Sequence, residues 1–287
     1  MKEKIIFLIQ STFLNEQDKL KDIEAFESLS VEFKDFGVIP FSNEITNLEN
    51  ILEPNTKYIT LCGIKALNII LNAKHIKELS DNLSDEQLRN SDYYLSKLKS
   101  SVFYNEKTFD QAHYLTLSLP LVNSNAVVKN YNAALNMKFD KPMFVKPTTD
   151  LKAFNGSFLN ANETFNELMN RTQKNESLNY NKIDVLFSNT KKIYSEYRFV
   201  VIDGEVISGS RYIKEGQVKP NSFVPDNIMR TAKEYALLYQ PSNIFVMDIA
   251  DTEDGYEIME YNCFNCSGMY MIDRKKVYKN LINNITL

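Results

Sequence analysis

Apolar positions along this chain fall into short blocks separated by polar, amphipathic stretches. Lys4–Gln10 carries an apolar block the length of a buried strand, and a polar amphipathic stretch follows around Asp18–Leu29. Phe36–Phe41 and Lys57–Cys62 are further strand candidates, and the second meets Gly63 and then the helical pattern Ile64–Leu71. Strand, turn and helix in alternation predict a small α/β unit over residues 1–100. Ser80–Lys99 is charged and reads as a helix with a solvated face. From Ala126 the pattern changes. Ala126–Leu135 reads as helix, Pro142–Lys146 as a short strand, Asn162–Arg171 as a helix with Phe165, Leu168 and Met169 on one face, and Ile183–Phe187 as a strand. Two hairpins follow, Glu196–Ile202 with Glu205–Tyr212 and Ile244–Ala250 with Tyr256–Asn262. Asp203-Gly204 and Asp254-Gly255 mark their turns. Between them the spacing predicts a helix over Asp226–Tyr239, with Asp226 as N-cap.

Composition narrows the chemistry. Of 287 residues only 8 are glycine and 2 histidine, with 3 cysteines and no tryptophan. Lys plus Arg number 33 against 37 Asp plus Glu, a net charge of -4 that argues against broad nucleic-acid binding. No apolar run reaches the length of a membrane span, and Ile5–Ile9 is too short for a secretory signal. Three cysteines cannot build a disulfide framework and point to a reducing, cytoplasmic setting. Cys263-x-x-Cys266 lacks the further ligands a zinc site needs and reads as packing. His75 and His113 exclude a His-rich metal site, and neither a P-loop nor a nucleophile elbow occurs.

Strand alternation then brings chemistry-bearing residues together, because positions i and i+2 share a face. A two-residue turn at Asp203-Gly204 pairs Ile202 with Glu205 and sets Arg198 opposite Gly209 and Glu196 opposite Arg211. Glu196, Arg198 and Arg211 would then cluster, with room beside Gly209 for an anion held by guanidinium forks, unless the face is a solvated one carrying a cross-strand ion pair. In the second hairpin a three-residue loop, Glu253-Asp254-Gly255, places Asp248 opposite Glu260, with Asn262 on the same face. These oxygens suit Mg²⁺ bridging phosphates; the alternative is an acid pair with one member solvated or protonated. Lys146 ends a strand, and Lys152 precedes Gly156 in a short loop, a setting in which ammonium groups can reach phosphates.

Taken in order, Phe144-Val145-Lys146-Pro147, Glu196-x-Arg198 followed by Arg211, then Asp248 and Glu260-x-Asn262 resemble the ATP-grasp superfamily, most closely its RimK-type carboxylate–amine ligase branch. The resemblance covers about residues 126–275. It implies an α/β (α+β) ATP-grasp fold, two subdomains over 101–185 and 186–287 gripping ATP, preceded by the 1–100 unit. By the same resemblance Lys146 and Lys152 would contact the ATP phosphates, with the usual phosphate loop shortened to Asn155-Gly156-Ser157. Val185–Asn189, including Phe187 and Ser188, would form the hinge that holds adenine, mainly through backbone groups. Asp248, Glu260 and Asn262 would bind Mg²⁺, Arg198 and Arg211 would sit near the γ-phosphate and acyl phosphate, and Glu196 holds the acidic position. The implied activity is ADP-forming ligation of a carboxylate and an amine, small-molecule or peptide, through an acyl phosphate. The competing readings are a protein-tagging ligase of the same fold, an inactive ATP-binding interaction module, and a kinase lacking the amine step.

Overall fold

The computed structural model describes residues 4–10, 16–39, 44–46, 53, 56–72, 95–149, 153–174 and 179–284. The chain divides into two compact units, Met1–Phe103 with Phe264–Leu287, and Tyr104–Cys263.

The first unit is organised by its most apolar strand. β1 (Lys4–Gln10) buries Ile6 to Ile9 completely and pairs in parallel with β2 (Glu32–Ile39) on one side and β4 (Thr56–Leu61) on the other. β3 (Glu44–Thr46) adds antiparallel to β2, giving the order β3-β2-β1-β4. Parallel pairing needs a crossover, supplied by the helix Glu16–Leu29 between β1 and β2. The helix Ile64–Asn72 follows β4 and buries Ala66, Leu67 and Ile70. Of the expected charged helix over Ser80–Lys99, residues 80–94 lie outside the described residues; 95–100 is helical, and Leu95 and Leu98 are buried rather than solvated.

Residues 264–284 pack in this unit, whereas the sequence reading put them with the strands that precede them. Two polar anchors explain it. Asn265, 1% exposed, donates to the carbonyls of Thr60 and Ser101 and accepts from the Phe103 amide, so every polar atom of its buried amide is used. Arg274, on the helix Arg274–Asn284, reaches Asp22 and Asp18 on the helix Glu16–Leu29.

The second unit holds two antiparallel sheets. β5 (Val127–Asn130), β6 (Met143–Pro147), β7 (Ser157–Leu159) and β8 (Asp184–Asn189) form one, ordered β5-β8-β6-β7. Ala126–Leu135, read as one helix, is instead β5 followed by a single helical turn, Tyr131–Ala134, capped by Asn130. Pairing of Val127-Val128 with Leu186-Phe187 overrides the helical pattern there. Thr164 and Glu167 form a capping box that starts the helix Phe165–Asn170. Its Phe165, Leu168 and Met169 pack with Val145, Phe154 and Phe187 into this sheet's core.

The other sheet contains β9 (Ile193–Ile202), β10 (Glu205–Lys214), β11 (Gln217–Asn221), β12 (Ile244–Thr252) and β13 (Gly255–Cys263), ordered β11-β10-β9-β12-β13. The helix Asp226–Leu238, with Pro225 rather than Asp226 at the N-cap position, buries Ile228, Ala232 and Ala236 against Tyr197, Phe199, Phe245 and Met247. Period-2 alternation sends the intervening residues of these strands, Glu196 and Arg198 among them, to the opposite face. Among the described residues no helix is long and apolar enough to cross a membrane.

Candidate functional site

Three strands set one row of charge. In register, Arg198 on β9 lies opposite Asp248 on β12, and Asp248 lies opposite Glu260 on β13. Arg198 donates bidentately to Asp248, Nε to Oδ1 at 2.8 Å and Nη2 to Oδ2 at 2.7 Å. Asn262 Nδ2 donates to the same Oδ2 at 3.1 Å. From the end of β6, in the other sheet, Lys146 Nζ reaches Glu260 Oε2 at 2.5 Å. Tyr212 closes the cluster: its hydroxyl donates to Glu196 Oε2 at 2.6 Å, and its ring lies 5.3 Å from the Arg198 guanidinium carbon.

The alignment of Asp248 with Glu260 arises differently from the expected route. Thr252 pairs with Gly255, leaving a two-residue turn, Glu253-Asp254, with Gly255 at φ 111°. With that turn alone Asp248 would lie opposite Met259. A bulge at Met259, between the Ile249–Ile258 and Asp248–Glu260 pairs, restores the register. The three-residue loop is therefore corrected, while the facing carboxylates stand.

The first hairpin keeps its Ile202–Glu205 pair and positive φ at Asp203 and Gly204, but bulges at Ile207 and Tyr212 shift everything beyond. Arg198 faces Ser210, and Glu196 faces Ile213. Gly209 pairs with Phe199 instead: a Cβ there would stand 2.4 Å from the Phe199 ring, so the glycine makes room for a core aromatic rather than for an anion. Arg211 turns to the Tyr197 side and does not join the cluster; its Nε is buried without a hydrogen-bond partner. Tyr212 occupies the position expected of Arg211. No sequence signal marks the two bulges, which is why Tyr212 was missed.

A cavity of about 270 Å³ lies along this row. Lys146, Thr148, Thr149, Asn155, Gly156, Glu196, Arg198, Tyr212, Glu260 and Asn262 contribute to its wall, with Phe144, Tyr114 and Tyr261 among the aromatic residues. Gly156 lines the cavity too, where a Cβ would come within 2.7 Å of the Phe144 ring. Phe187 and Ser188 do not reach the cavity with their side chains. Phe187 packs 5.4 Å from the Phe165 ring in the sheet core, and the buried Ser188 hydroxyl is hydrogen-bonded to Asn123, which does line it. Lys152 lies outside the described residues. The hydroxyls of Thr148, Thr149 and Tyr261, which sequence reasoning did not single out, are buried without hydrogen-bond partners in this wall. Such orphaned donors are uncommon and are satisfied most simply by a ligand.

The electrostatics are uneven. Burial pushes the Asp248 carboxyl up, against the pull of the Arg198 guanidinium. Burial also raises Glu196, and the Asp248 and Glu260 charges add to it while the Tyr212 hydrogen bond opposes. Burial would raise Glu260 as well, but the Lys146 ammonium outweighs it by charge and hydrogen bond and holds that carboxyl down at about 2. Burial, then the Asp248 and Glu196 charges, push the Tyr212 phenol well above its ordinary value.

The donor set fits Mg²⁺ with a polyphosphate. Two carboxylates and an amide on one face are hard oxygen donors. Two cations and the orphaned hydroxyls suit phosphate oxygens. Among the described residues no group of three or more His, Cys, Asp or Glu side chains could hold a metal, so the amide of Asn262 is needed to complete the trio.

No curated protein matches the sequence. Solved structures share the fold. The ATP-grasp ligase PsnB complexed with precursor peptide PsnA2 and AMPPNP superposes with a TM-score of 0.53 at 12% identity, over 99% of this chain and 97% of that one. The macrocyclase MdnC bound with precursor peptide MdnA from Microcystis aeruginosa MRC does so at 0.53 and 12%, over 98% and 99%. D-alanine–D-alanine ligase from Bacillus anthracis complexed with ATP gives 0.52 and 11%, over 93% and 87%. At these identities the likeness is one of fold, and it is the ATP-grasp fold expected from the ordered motifs. A family model for the ATP-grasp domain, R2K clade family 2, matches residues 123–280, naming that clade rather than a RimK-type branch. Spanning more than half of the 287 residues, this match establishes that the chain belongs to the ATP-grasp domain, R2K clade family 2.

Proposed function

We propose that the chain is an ATP- and Mg²⁺-dependent ligase that joins a carboxylate to an amine through an acyl phosphate, releasing ADP and phosphate. The observation that carries this reading is the convergence of Lys146 from one sheet with Arg198, Glu260 and Asn262 from the other on a single cavity, with Asp248 buried beneath Arg198 and Asn262 and bonded to both. Phosphoryl transfer depends on positioning and charge neutralisation, with little covalent help from the protein. Asp248, Glu260 and Asn262 would hold Mg²⁺, which would supply charge neutralisation of the polyphosphate. Lys146 and the Thr148 and Thr149 hydroxyls orient the phosphate chain. Arg198, in the cavity wall and beside the Tyr212 ring, would neutralise charge on the transferring group. The aromatic wall at Phe144, Tyr114 and Tyr261 limits water, which protects an acyl phosphate from hydrolysis. No enzyme nucleophile is required, which agrees with a chain carrying two histidines.

Peptide carboxylates are included among the candidate substrates. Two of the structural relatives, both solved with precursor peptides, match this chain over nearly their whole length. The test is release of ADP and phosphate from ATP and Mg²⁺, with carboxylates and amines supplied singly and together as amino-acid or peptide mixtures. Turnover that requires both partners, with a product joined by loss of water in mass spectrometry, is the expected outcome. ATP binding without turnover on any mixture would favour an ATP-binding interaction module instead.

A further inference from the structure

The cations that face the proposed metal ligands take the same oxygens a metal would need. Both oxygens of Asp248, 1% exposed, accept from Arg198, and Oδ2 accepts from Asn262 as well. Glu260 Oε2 accepts from Lys146. Counting the groups in contact, Lys146 and Arg198 bring two positive charges against the two negative charges of Glu260 and Asp248. A divalent cation arriving alone would have to displace an ammonium and a guanidinium from a half-enclosed cavity and leave both without an anion. Breaking a buried pair by removing one partner is strongly unfavourable. A polyphosphate changes the balance, because its oxygens accept the hydrogen bonds that Lys146 and Arg198 give up. The pairs are then exchanged rather than broken.

From this we infer that Lys146 and Arg198 act as place-holding cations: the site takes a divalent metal only together with a polyphosphate, and it is these two residues that exclude the free ion. This rests on the reading of Asp248, Glu260 and Asn262 as metal ligands. It makes an uncommon demand: removing a positively charged phosphate-binding residue must improve binding of the metal alone.

The experiment titrates the full chain with Mn²⁺, counting bound ion alone by loss of the free-ion paramagnetic resonance signal, and bound Mn²⁺–tripolyphosphate or Mn²⁺–AMPPNP by equilibrium dialysis against the same complex without protein. Wild type is expected to bind Mn²⁺ weakly alone and tightly with either polyphosphate. Lys146→Met, which keeps the apolar stem, should bind Mn²⁺ alone about tenfold or more tightly than wild type. Lys146→Arg, which keeps the charge, should not. Arg198→Gln repeats the test at Asp248 should the Lys146 variants melt below the assay temperature. Equal affinity of wild type and both neutral variants for Mn²⁺ alone overturns the inference. So does tight binding of the free ion by wild type. Glu260→Gln separates the two readings. If it loses Mn²⁺–AMPPNP binding while the neutral variants show no gain, the metal ligands stand and the place-holding role fails. If it binds Mn²⁺–AMPPNP as wild type does, the metal assignment itself fails.

Discussion

Two buried clusters in this molecule use nearly the same chemistry to different ends. In the first unit Arg274 donates to Asp22 and Asp18 at 2.7 Å each and to the Tyr270 carbonyl, and Tyr278 donates to Asp22 at 2.6 Å. In the second, Arg198 donates to Asp248 while Tyr212 donates to Glu196. Each has an arginine, two acids and a tyrosine. The first is enclosed by Phe7 and Phe26, whose rings lie 5.1 and 4.7 Å from that of Tyr278, and its named side chains leave no buried polar atom unpaired. It ties a helix near residue 20 to one near residue 280. The second lines a cavity whose wall keeps the orphaned hydroxyls of Thr148, Thr149 and Tyr261. A buried arginine–carboxylate pair is therefore not a site in itself. Unspent hydrogen-bonding capacity beside it, with room for a ligand, makes it one.

Replacing one member of each cluster should pull this contrast apart. The largest effect is expected from Arg274→Met, which strands Asp22 in the core and should cost ~3–5 kcal/mol in urea unfolding; a loss below about 1 kcal/mol would mean the cluster is not a structural tie. Next, Glu260→Gln should weaken the Mg²⁺–nucleotide complex by an amount equivalent to ~1.5–3 kcal/mol in calorimetry, the range for a charged hydrogen bond; because it also takes the anion from Lys146, it should lower stability in urea, by less than Arg274→Met does. Gly209→Ala places a methyl carbon against the Phe199 ring and should cost ~1–3 kcal/mol of stability; a neutral result would show that the ring can turn aside. Smaller still, Tyr212→Phe keeps the ring over Arg198 and removes the hydroxyl that bonds Glu196 at 2.6 Å and Asp248 at 3.4 Å, worth about 1 kcal/mol. It should alter turnover more than unfolding.

The weakest effect is one of pH. Glu163, bonded to Arg171 and to the Asn160 amide, is held down to about 2 from an ordinary 4.5, the Arg171 hydrogen bond being the main cause. A carboxyl depressed in the fold stabilises it fully above its unfolded value, and that contribution is lost as pH falls from about 4.5 towards 2. Glu163→Gln should flatten this part of the stability profile. An unchanged slope would show that the pair is screened away at the surface.

How much of this was legible beforehand depended on the element. Strands with strong alternation and Asp-Gly turns were readable, and so were Lys146, Asp248, Glu260 and Asn262 as residues converging on one place. The three-residue loop at Gly255 was an inference forced by chemistry: facing carboxylates required a register change, and a loop residue was the available means. The protein makes the same change with a bulge at Met259. In the first hairpin no chemical demand hinted at bulges, so Arg211 was placed on the wrong face and Tyr212 overlooked. Phe187 lay at the end of the expected strand Ile183–Phe187 and Ser188 just beyond it, whereas the strand runs Asp184–Asn189; which of its faces met the cavity depended on the other sheet.

By itself the sequence determined most kinds of element, the Asp203-Gly204 turn, the second turn to within a residue and the stock of charged side chains, because periodicity and turn chemistry act over a few residues. Tertiary structure decided the registers. A single extra residue in a strand reverses which side chains face the core, and its position is set by packing across the sheet, here by Phe199 against Gly209 and by the helix Asp226–Leu238 over the opposite face. The scarce glycines changed meaning accordingly. Gly156 lines the cavity wall, whereas Gly209 proved to serve the core, since the space beside a glycine belongs to whichever neighbour the fold brings to it.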